Sequence, residues 1–221
     1  MKNLIQYIQE GVGKTGDKTI FEIENFLEEN YEGSFKISNK PNKDGKYEVI
    51  PCEDIKVKNL QIPNLTNNLF VFGDTKYSFK CFNCKQLTTL EGAPEKVSGK
   101  FYIFNCKLLT TLEGGPKEVG VMHVDTCEAL TTLEGAPEIV EDSFYCWHLP
   151  SLRSLDSACK KVGGDFECFS CEALRSLKGA PKEVGGDFTC EHCKYITKED
   201  VTKASNVKGK ISIKNGKRRI R

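Results

Sequence analysis

At 221 residues, with 38% hydrophobic and 29% charged residues, the chain has the composition of an ordinary globular protein. A formal net charge of +1 argues against the strong positive field of nucleic-acid-binding proteins, and no apolar run approaches the roughly 18–20 residues of a membrane span. The start of the chain is amphipathic and charged, unlike a secretory signal, so we expect the 11 cysteines to be free thiols in a reducing compartment. We therefore expect no nucleic acid and no membrane among its partners.

Residues 1–16 have the pattern of a short amphipathic helix followed by a glycine-rich linker. The triplet Gly13-Lys14-Thr15 matches the end of a phosphate-binding loop. However, Ile8 stands where that loop requires its first glycine, and no strand precedes it. We therefore expect no nucleotide site here and no cofactor.

The same segment resembles the capsid-targeting peptide of internal head proteins of T-even-like tailed bacteriophages. Such peptides begin with Met-Lys, form a short helix and end in Ile/Leu-x-Glu before a small residue, and the prohead protease cuts after the Glu. Here the matching residues are Ile8, Gln9 and Glu10, followed by Gly11. The resemblance implies cleavage after Glu10, packaging in the interior of the phage head and delivery to the cytoplasm of the bacterial host. The alternative is an ordinary N-terminal helix.

Residues 17–34 are predicted to contain an N-terminal capping helix. Ile23, Phe26 and Leu27 lie at helical spacing with glutamates on the opposite face, and Asp17 is placed to cap the first turn. Because the repeat described below leaves an apolar end exposed, we expect this helix to cover that end.

Residues 35–78 are predicted to form degenerate first rungs. Phe35–Ile37 and Ile55–Val57 both alternate between apolar and polar residues. Their starts lie 20 residues apart, and the next strand starts 24 residues later, close to the period of the repeat that follows.

Residues 79–196 repeat one pattern at a step of 22 residues, and once 21. Each copy opens with an alternating strand pair: Phe79/Cys81, Phe101/Ile103, Met122/Val124, Phe144/Cys146, Phe166/Cys168 and Phe188/Cys190. A second column then holds Cys84, Cys106, Cys127, Leu149, Cys171 and Cys193, and leucine and proline columns follow it. A fixed period of this length is typical of a solenoid.

Residues 197–221 are predicted to form a C-terminal cap and a basic tail. Thr197 and Asp200 make a capping-box-like start to a short helix, and Ile211–Ile213 has the pattern of a last strand. We expect the tail, Lys217–Arg221, to be solvated rather than to bind nucleic acid, because it contains no aromatic residue.

The repeat resembles the leucine-rich repeat, Leu-x-Leu-x-x-Asn/Cys-x-Leu, with Phe or Met at the first position and Cys in the place of Asn. The stretch Thr-Leu-Glu-Gly-Ala-Pro at residues 132–137 also resembles the Leu-Glu-Gly-Ala-Pro arrays of phage and gut-bacterial proteins. The resemblance implies a leucine-rich-repeat-like β-solenoid with a parallel sheet on one side and short non-helical returns on the other. Strand starts at 35, 55, 79, 101, 122, 144, 166, 188 and 211 give about nine rungs between an N-terminal capping helix and a C-terminal helix–strand cap.

Paired cysteines at 168/171 and 190/193 have the spacing of a zinc ribbon. The same columns also hold Ile103, Val124 and Leu149, which cannot be metal ligands but can replace a small buried residue. We therefore predict no metal site. The thiols should pack as small hydrophobes, and those of the second column should bond to the backbone as an Asn ladder would. Structural zinc is the alternative.

Residues between the inward positions of a strand point to the opposite face of the sheet. The residues predicted to contact a partner there are Phe82, Tyr102, Phe104, His123, Asp125, Tyr145, Trp147, Glu167 and Phe169. Neighbouring strands lie roughly 4.8 Å apart, so these side chains should form one patch, rimmed on its C-terminal side by acidic residues. Such a patch is typical of an interaction site. The alternative is that the rings stabilise the sheet by stacking, or are covered by a cap.

No catalytic residue is predicted, because His123 with Asp125 is the nearest approach to a dyad and it lacks a nucleophile. The sequence therefore predicts a non-enzymatic protein–protein interaction module. Together with the N-terminal resemblance, this indicates a phage-encoded, head-packaged protein that acts on a host factor. The alternatives are a structural protein of the head interior and an effector that recruits a substrate for an enzymatic domain.

Overall fold

The computed structural model describes residues 18–58 and 60–215. In chain order the elements are α1 (Lys18–Asn30), β1 (Tyr31–Glu32), β2 (Phe35–Ile37), β3 (Tyr47–Pro51), β4 (Ile55–Lys58), β5 (Phe70–Phe72), β6 (Phe79–Phe82), β7 (Lys96–Phe104), β8 (Glu118–Asp125), β9 (Ile139–Val140), β10 (Phe144–Trp147), β11 (Lys161–Val162), β12 (Phe166–Phe169), β13 (Glu183–Val184), β14 (Phe188–Glu191), α2 (Lys198–Ala204), β15 (Asn206–Val207) and β16 (Ile211–Lys214). Within these ranges, neither helix has the length and hydropathy that a bilayer span requires. The predicted processing site at Ile8, Glu10 and Gly11, the cap residue Asp17 and the tail Lys217–Arg221 lie outside the described residues.

The alternating segments of the repeat pair side by side into one main sheet. β1 lies antiparallel to β4, and from β4 the parallel order runs β6, β7, β8, β10, β12, β14 and β16. Equivalent residues of successive repeats are direct partners, as Phe144 is of Met122 and of Phe166. The chain is thus a β-solenoid of about eight turns, which confirms the predicted fold.

A second row of short parallel strands runs beside the main sheet. It contains β9, β11, β13 and β15, and it continues into the first residues of β7 and β8. In the later rungs, the chain bends between the short strand of the second row and the following strand of the main sheet. At this corner a Cβ on Gly163 would lie 1.9 Å from the carbonyl oxygen of Glu141. Glycine therefore lets consecutive rungs approach closely at this point.

The inward side chains form a core that runs through the whole stack. Its largest members are the fully buried rings of Phe79, Phe101, Phe144, Phe166 and Phe188. Rings of neighbouring rungs touch, with centroids 5.0 Å apart for Phe166 and Phe188. Because full burial of one such side chain contributes about 1.5–3 kcal/mol, each rung stabilises its neighbours.

The first predicted rung is wrong. Phe35 lies in β2, which pairs antiparallel with β3 in a separate three-stranded sheet completed by β5, whereas Ile55 does begin a rung of the main sheet. The reason is a tight turn after β2, where the Asn42 side chain accepts hydrogen bonds from the backbone N–H groups of Asp44 and Lys46. This turn folds the chain back, so β2 pairs with β3, its neighbour in sequence, and not with the main sheet.

Helices close both ends of the described stack, as the sequence predicts. In α1, Ile23 and Leu27 are buried, and the Phe26 ring lies 6.0 Å from that of Phe70. Before α2, the Thr197 hydroxyl accepts from the Asp200 backbone N–H at 3.2 Å, and the Asp200 carboxylate accepts from the Thr197 N–H at 2.9 Å. This reciprocal pair is the capping box that the sequence indicates.

Candidate protein-binding face

The main sheet turns one side to the core and the other outward. In β10, for example, Phe144 and Cys146 are buried while Tyr145 and Trp147 are partly exposed. The in-register pairing of the parallel strands brings the nine predicted residues onto this outward side. This surface, called here the aromatic face, consists of Phe82, Tyr102, Phe104, His123, Asp125, Tyr145, Trp147, Glu167 and Phe169.

The rings of the aromatic face touch one another across five strands. Between ring centroids, Phe82 and Tyr102 are 5.3 Å apart, Tyr102 and His123 are 4.5 Å apart, and His123 and Trp147 are 4.6 Å apart. Trp147 in turn lies 6.4 Å from Phe169. Cross-strand stacking therefore does occur, and it holds the rings in fixed positions while most of them stay partly exposed.

His123 is the most enclosed ring of this face. It is 5% exposed, and neither ring nitrogen has a hydrogen-bond partner among the described residues. Burial, reinforced by the Lys100 ammonium and opposed by Asp125, lowers the pKa of His123 to about 4. The imidazole is therefore neutral near pH 7 and serves as a flat ring between its neighbours.

Asp125 is 8% exposed, and its carboxylate is already engaged. It accepts from the Thr126 hydroxyl at 2.8 Å and lies 3.0 Å from Nδ1 of His148. The histidine that Asp125 contacts is therefore His148 rather than His123, its neighbour in the strand. No hydroxyl or thiol in the described part of the chain hydrogen-bonds to the His148 ring, so the pair forms no charge-relay triad there.

A column of left-handed residues explains why His148 reaches back to Asp125. The residue that follows each outward strand end has positive φ: Asn83, Asn105, Thr126, His148, Ser170 and His192. This conformation ends the strand and turns the side chain toward the preceding rung, as in the bond of 2.6 Å from Asn105 Nδ2 to Asn83 Oδ1. The sequence signal for this column is weak: it lies in Asn83 and Asn105, since asparagine tolerates positive φ better than most residues.

The acidic rim predicted beside the aromatic face is mostly occupied by bonds within the stack. Asp165 accepts from the backbone N–H of Asp187, and Asp187 accepts from that of Lys210, both at 2.7 Å. Glu191 forms an ion pair with Lys214 at 2.5 Å. These three carboxylates therefore join successive rungs of the stack.

Glu167 differs from the other acidic residues of the rim. It forms no ion pair with any described residue, and burial raises the pKa of its carboxyl. The indole N–H of Trp147 lies near enough to oppose this rise, but it makes no hydrogen bond of normal geometry. Glu167 is thus a partly desolvated charge set beside aromatic rings.

The cysteines form a ladder of buried thiols beneath this face. The second column donates to backbone carbonyls: Cys171 to that of Cys146 at 3.3 Å, and Cys193 to that of Cys168 at 3.5 Å. This confirms the predicted thiol ladder. Among the described residues, no group of His, Cys, Asp or Glu has the arrangement of a metal site.

The fold and this face together define a β-solenoid repeat protein with an aromatic outer sheet surface. Comparison with protein-family models, with curated proteins and with solved structures found no match. The function is therefore argued from the aromatic face itself.

Proposed function

We propose that the chain is a non-enzymatic protein–protein interaction module that binds its partner through the aromatic face. The observation that carries this proposal is a set of partly exposed rings on neighbouring strands: Phe82, Tyr102, Phe104, Tyr145, Trp147 and Phe169. Large aromatic side chains supply most of the binding energy in many protein interfaces, and monomeric proteins rarely leave them clustered in solvent.

The geometry of the face favours a protein or peptide over a small molecule. Strands roughly 4.8 Å apart place the rings of β6 and β12 about 19 Å from each other, and most of these rings stay partly exposed. Small ligands prefer pockets that enclose most of their surface, whereas solenoids bind extended partners along their sheets.

The biological setting of the proposal rests on the N-terminal resemblance alone. Ile8, Glu10 and Gly11 match the processing site of phage internal head proteins. We propose a head-packaged phage protein that reaches the bacterial cytoplasm and binds a host factor there. A structural role in the head interior would use the same face against a phage protein.

Replacing Phe104 and Trp147 together with Ser tests the proposal. Both side chains point outward, so we expect the double variant to keep its fold at a cost of about 1–3 kcal/mol in stability and to lose partner binding. The measurement is quantitative capture from a bacterial host lysate, with circular dichroism to confirm folding.

Leu108→Ser is the matched control, because Leu108 is 46% exposed and lies outside the aromatic face. It should capture as much partner as the unmodified protein. Equal capture by a folded Phe104→Ser/Trp147→Ser variant would exclude the aromatic face as the binding surface.

A further inference from the structure

Lys100 and Glu167 are charged side chains of the outward sheet surface that have no opposite charge bound to them within the described ranges. Lys80, Lys58 and Glu191 all form ion pairs, but Lys100 and Glu167 do not. They lie on opposite sides of the central rings, on β7 and β12, which are three strand steps or about 14 Å apart. The outward surface therefore carries a positive charge without an ion-pair partner on β7 and a negative one on β12.

Glu167 stands among three aromatic rings. Tyr145 is its direct partner on β10, Trp147 lies on the same neighbouring strand, and Phe169 follows two residues later on the same side of β12. The rings are held at angles to one another, with 63° between Tyr145 and Trp147 and 64° between Trp147 and Phe169. A carboxylate bordered by tilted rings is an arrangement that attracts cations, since the ring faces and the carboxylate both carry negative potential.

The outward surface already binds a cation in this way at its other end. The Lys100 ammonium lies 4.7 Å from the centroid of the Tyr102 ring, without a carboxylate partner among the described residues. The Glu167 end offers similar rings and adds a negative charge, so its chemistry is complementary to that of a cationic ligand.

Unsatisfied polar groups mark the same place. His123 is buried without a hydrogen-bond partner, its ring lies 4.6 Å from that of Trp147, and the Trp147 indole N–H also lacks one among the described residues. Because these atoms are buried, the two side chains hold the neighbouring rings in place rather than contact a ligand directly. A protein partner would present its cation as a basic side chain on a peptide segment.

Building on the proposed function, we infer that the partner presents a peptide segment whose arginine or lysine side chain lies among Tyr145, Trp147 and Phe169 with its charged end at Glu167. Arginine fits best, because its planar guanidinium stacks on rings and binds carboxylates with two parallel hydrogen bonds. The chain's own basic residues, Lys217–Arg221, are a competing occupant that the test must separate.

Trp147 is the single tryptophan of the chain, so its fluorescence reports on this site directly. The probe is an acetylated, amidated Gly-Gly-Arg-Gly-Gly peptide, and its twin carries citrulline, which has nearly the shape of arginine but no charge. At constant ionic strength we expect saturable quenching by the arginine peptide and affinity about tenfold weaker for the citrulline peptide. Glu167→Gln should weaken the arginine peptide about tenfold as well, whereas Glu172→Gln, which removes an exposed charge elsewhere, should not.

The inference is overturned if the two peptides bind equally, if Glu167→Gln binds like the unmodified protein, or if millimolar arginine peptide leaves the emission unchanged. It is also overturned if the peptide binds only after residues 216–221 are deleted, because the chain's own tail is then the occupant. The proposed function has a separate test: it is contradicted if the Phe104→Ser/Trp147→Ser variant still captures the partner. If that variant loses capture while Glu167→Gln captures normally, the proposed function is supported. The inference that a basic side chain binds at Glu167 is then excluded.

Discussion

His123 has two unpaired nitrogens in the middle of an aromatic cluster. The stack of Tyr102, His123 and Trp147 gains ring contacts at 4.5 and 4.6 Å, and this gain requires a neutral imidazole. Protonation would place a charge against the Lys100 ammonium in a site that water does not reach. His123 should therefore contribute to the pH dependence of stability.

The direction of that dependence follows from the lowered pKa. The unfolded chain binds a proton at His123 near the ordinary pKa of 6.5, whereas the folded chain binds it only near 4. The contribution of His123 to stability is therefore present above pH 6.5 and is lost as the pH falls toward 4, by about 2 kcal/mol between pH 7 and pH 5.

His123→Phe should remove this loss, because phenyl keeps the ring and takes up no proton. Urea denaturation at pH 7 and pH 5 measures the loss of stability. His192→Gln, which removes an exposed histidine, is the control and should lose as much stability as the unmodified protein. If the unmodified protein and His123→Phe lose the same stability between these pH values, the buried imidazole has no part in the pH response.

At the scale of the element, the corner between the two strand rows sets how closely rungs approach. Gly163→Ala would push a methyl group into the Glu141 carbonyl, which belongs to the backbone and cannot rotate away. We expect a loss of about 1–3 kcal/mol in the free energy of unfolding. Ser98→Ala, at the equivalent and exposed position of an earlier rung, should be nearly neutral in the same denaturation experiment. Equal stability of Gly163→Ala and the unmodified protein would show that the rungs are not in tight contact there.

The thiol ladder gives a second prediction at this scale. Because Cys171 and Cys193 donate to carbonyls, chelators should leave the thermal midpoint unchanged and the purified protein should contain no stoichiometric zinc. Metal analysis and thermal denaturation with and without chelator measure this. About one zinc per chain, lost together with stability, would refute the ladder as the reason for the cysteine columns.

At the scale of the whole molecule, the period alone predicts the stack from Phe79 to Phe188. Parallel strands pair in register, so residues one period apart in the sequence become direct neighbours. It does not predict the small N-terminal sheet, since the local turn at Asn42 competes with the stack and a weak repeat cannot show which pairing wins. Membership of the aromatic face was predictable from alternation.

The partners of individual charges were not predictable in the same way. The bond of His148 to Asp125 depends on a left-handed backbone angle, which no residue type in that column specifies. The bond of Asp165 to the Asp187 backbone does recur from rung to rung, but Ser143 accepts in the same way, so no single residue type marks the acceptor.

The head-packaging hypothesis also concerns the whole molecule and has its own test. If the resemblance at Ile8–Gly11 reflects processing, protein recovered from particles should begin at Gly11. Intact-mass measurement distinguishes this from a chain that keeps Met1, which would remove the evidence for packaging.

The most direct measurement of the central claim uses the only tryptophan of the chain, Trp147. Acrylamide should quench its emission in the free protein, because the aromatic face is open, and quench it much less in the purified complex, because the partner covers that face. Leu108→Trp in a Trp147→Phe background supplies a reference tryptophan away from the face, which should stay accessible in both states. Unchanged quenching of Trp147 on complex formation would contradict the account.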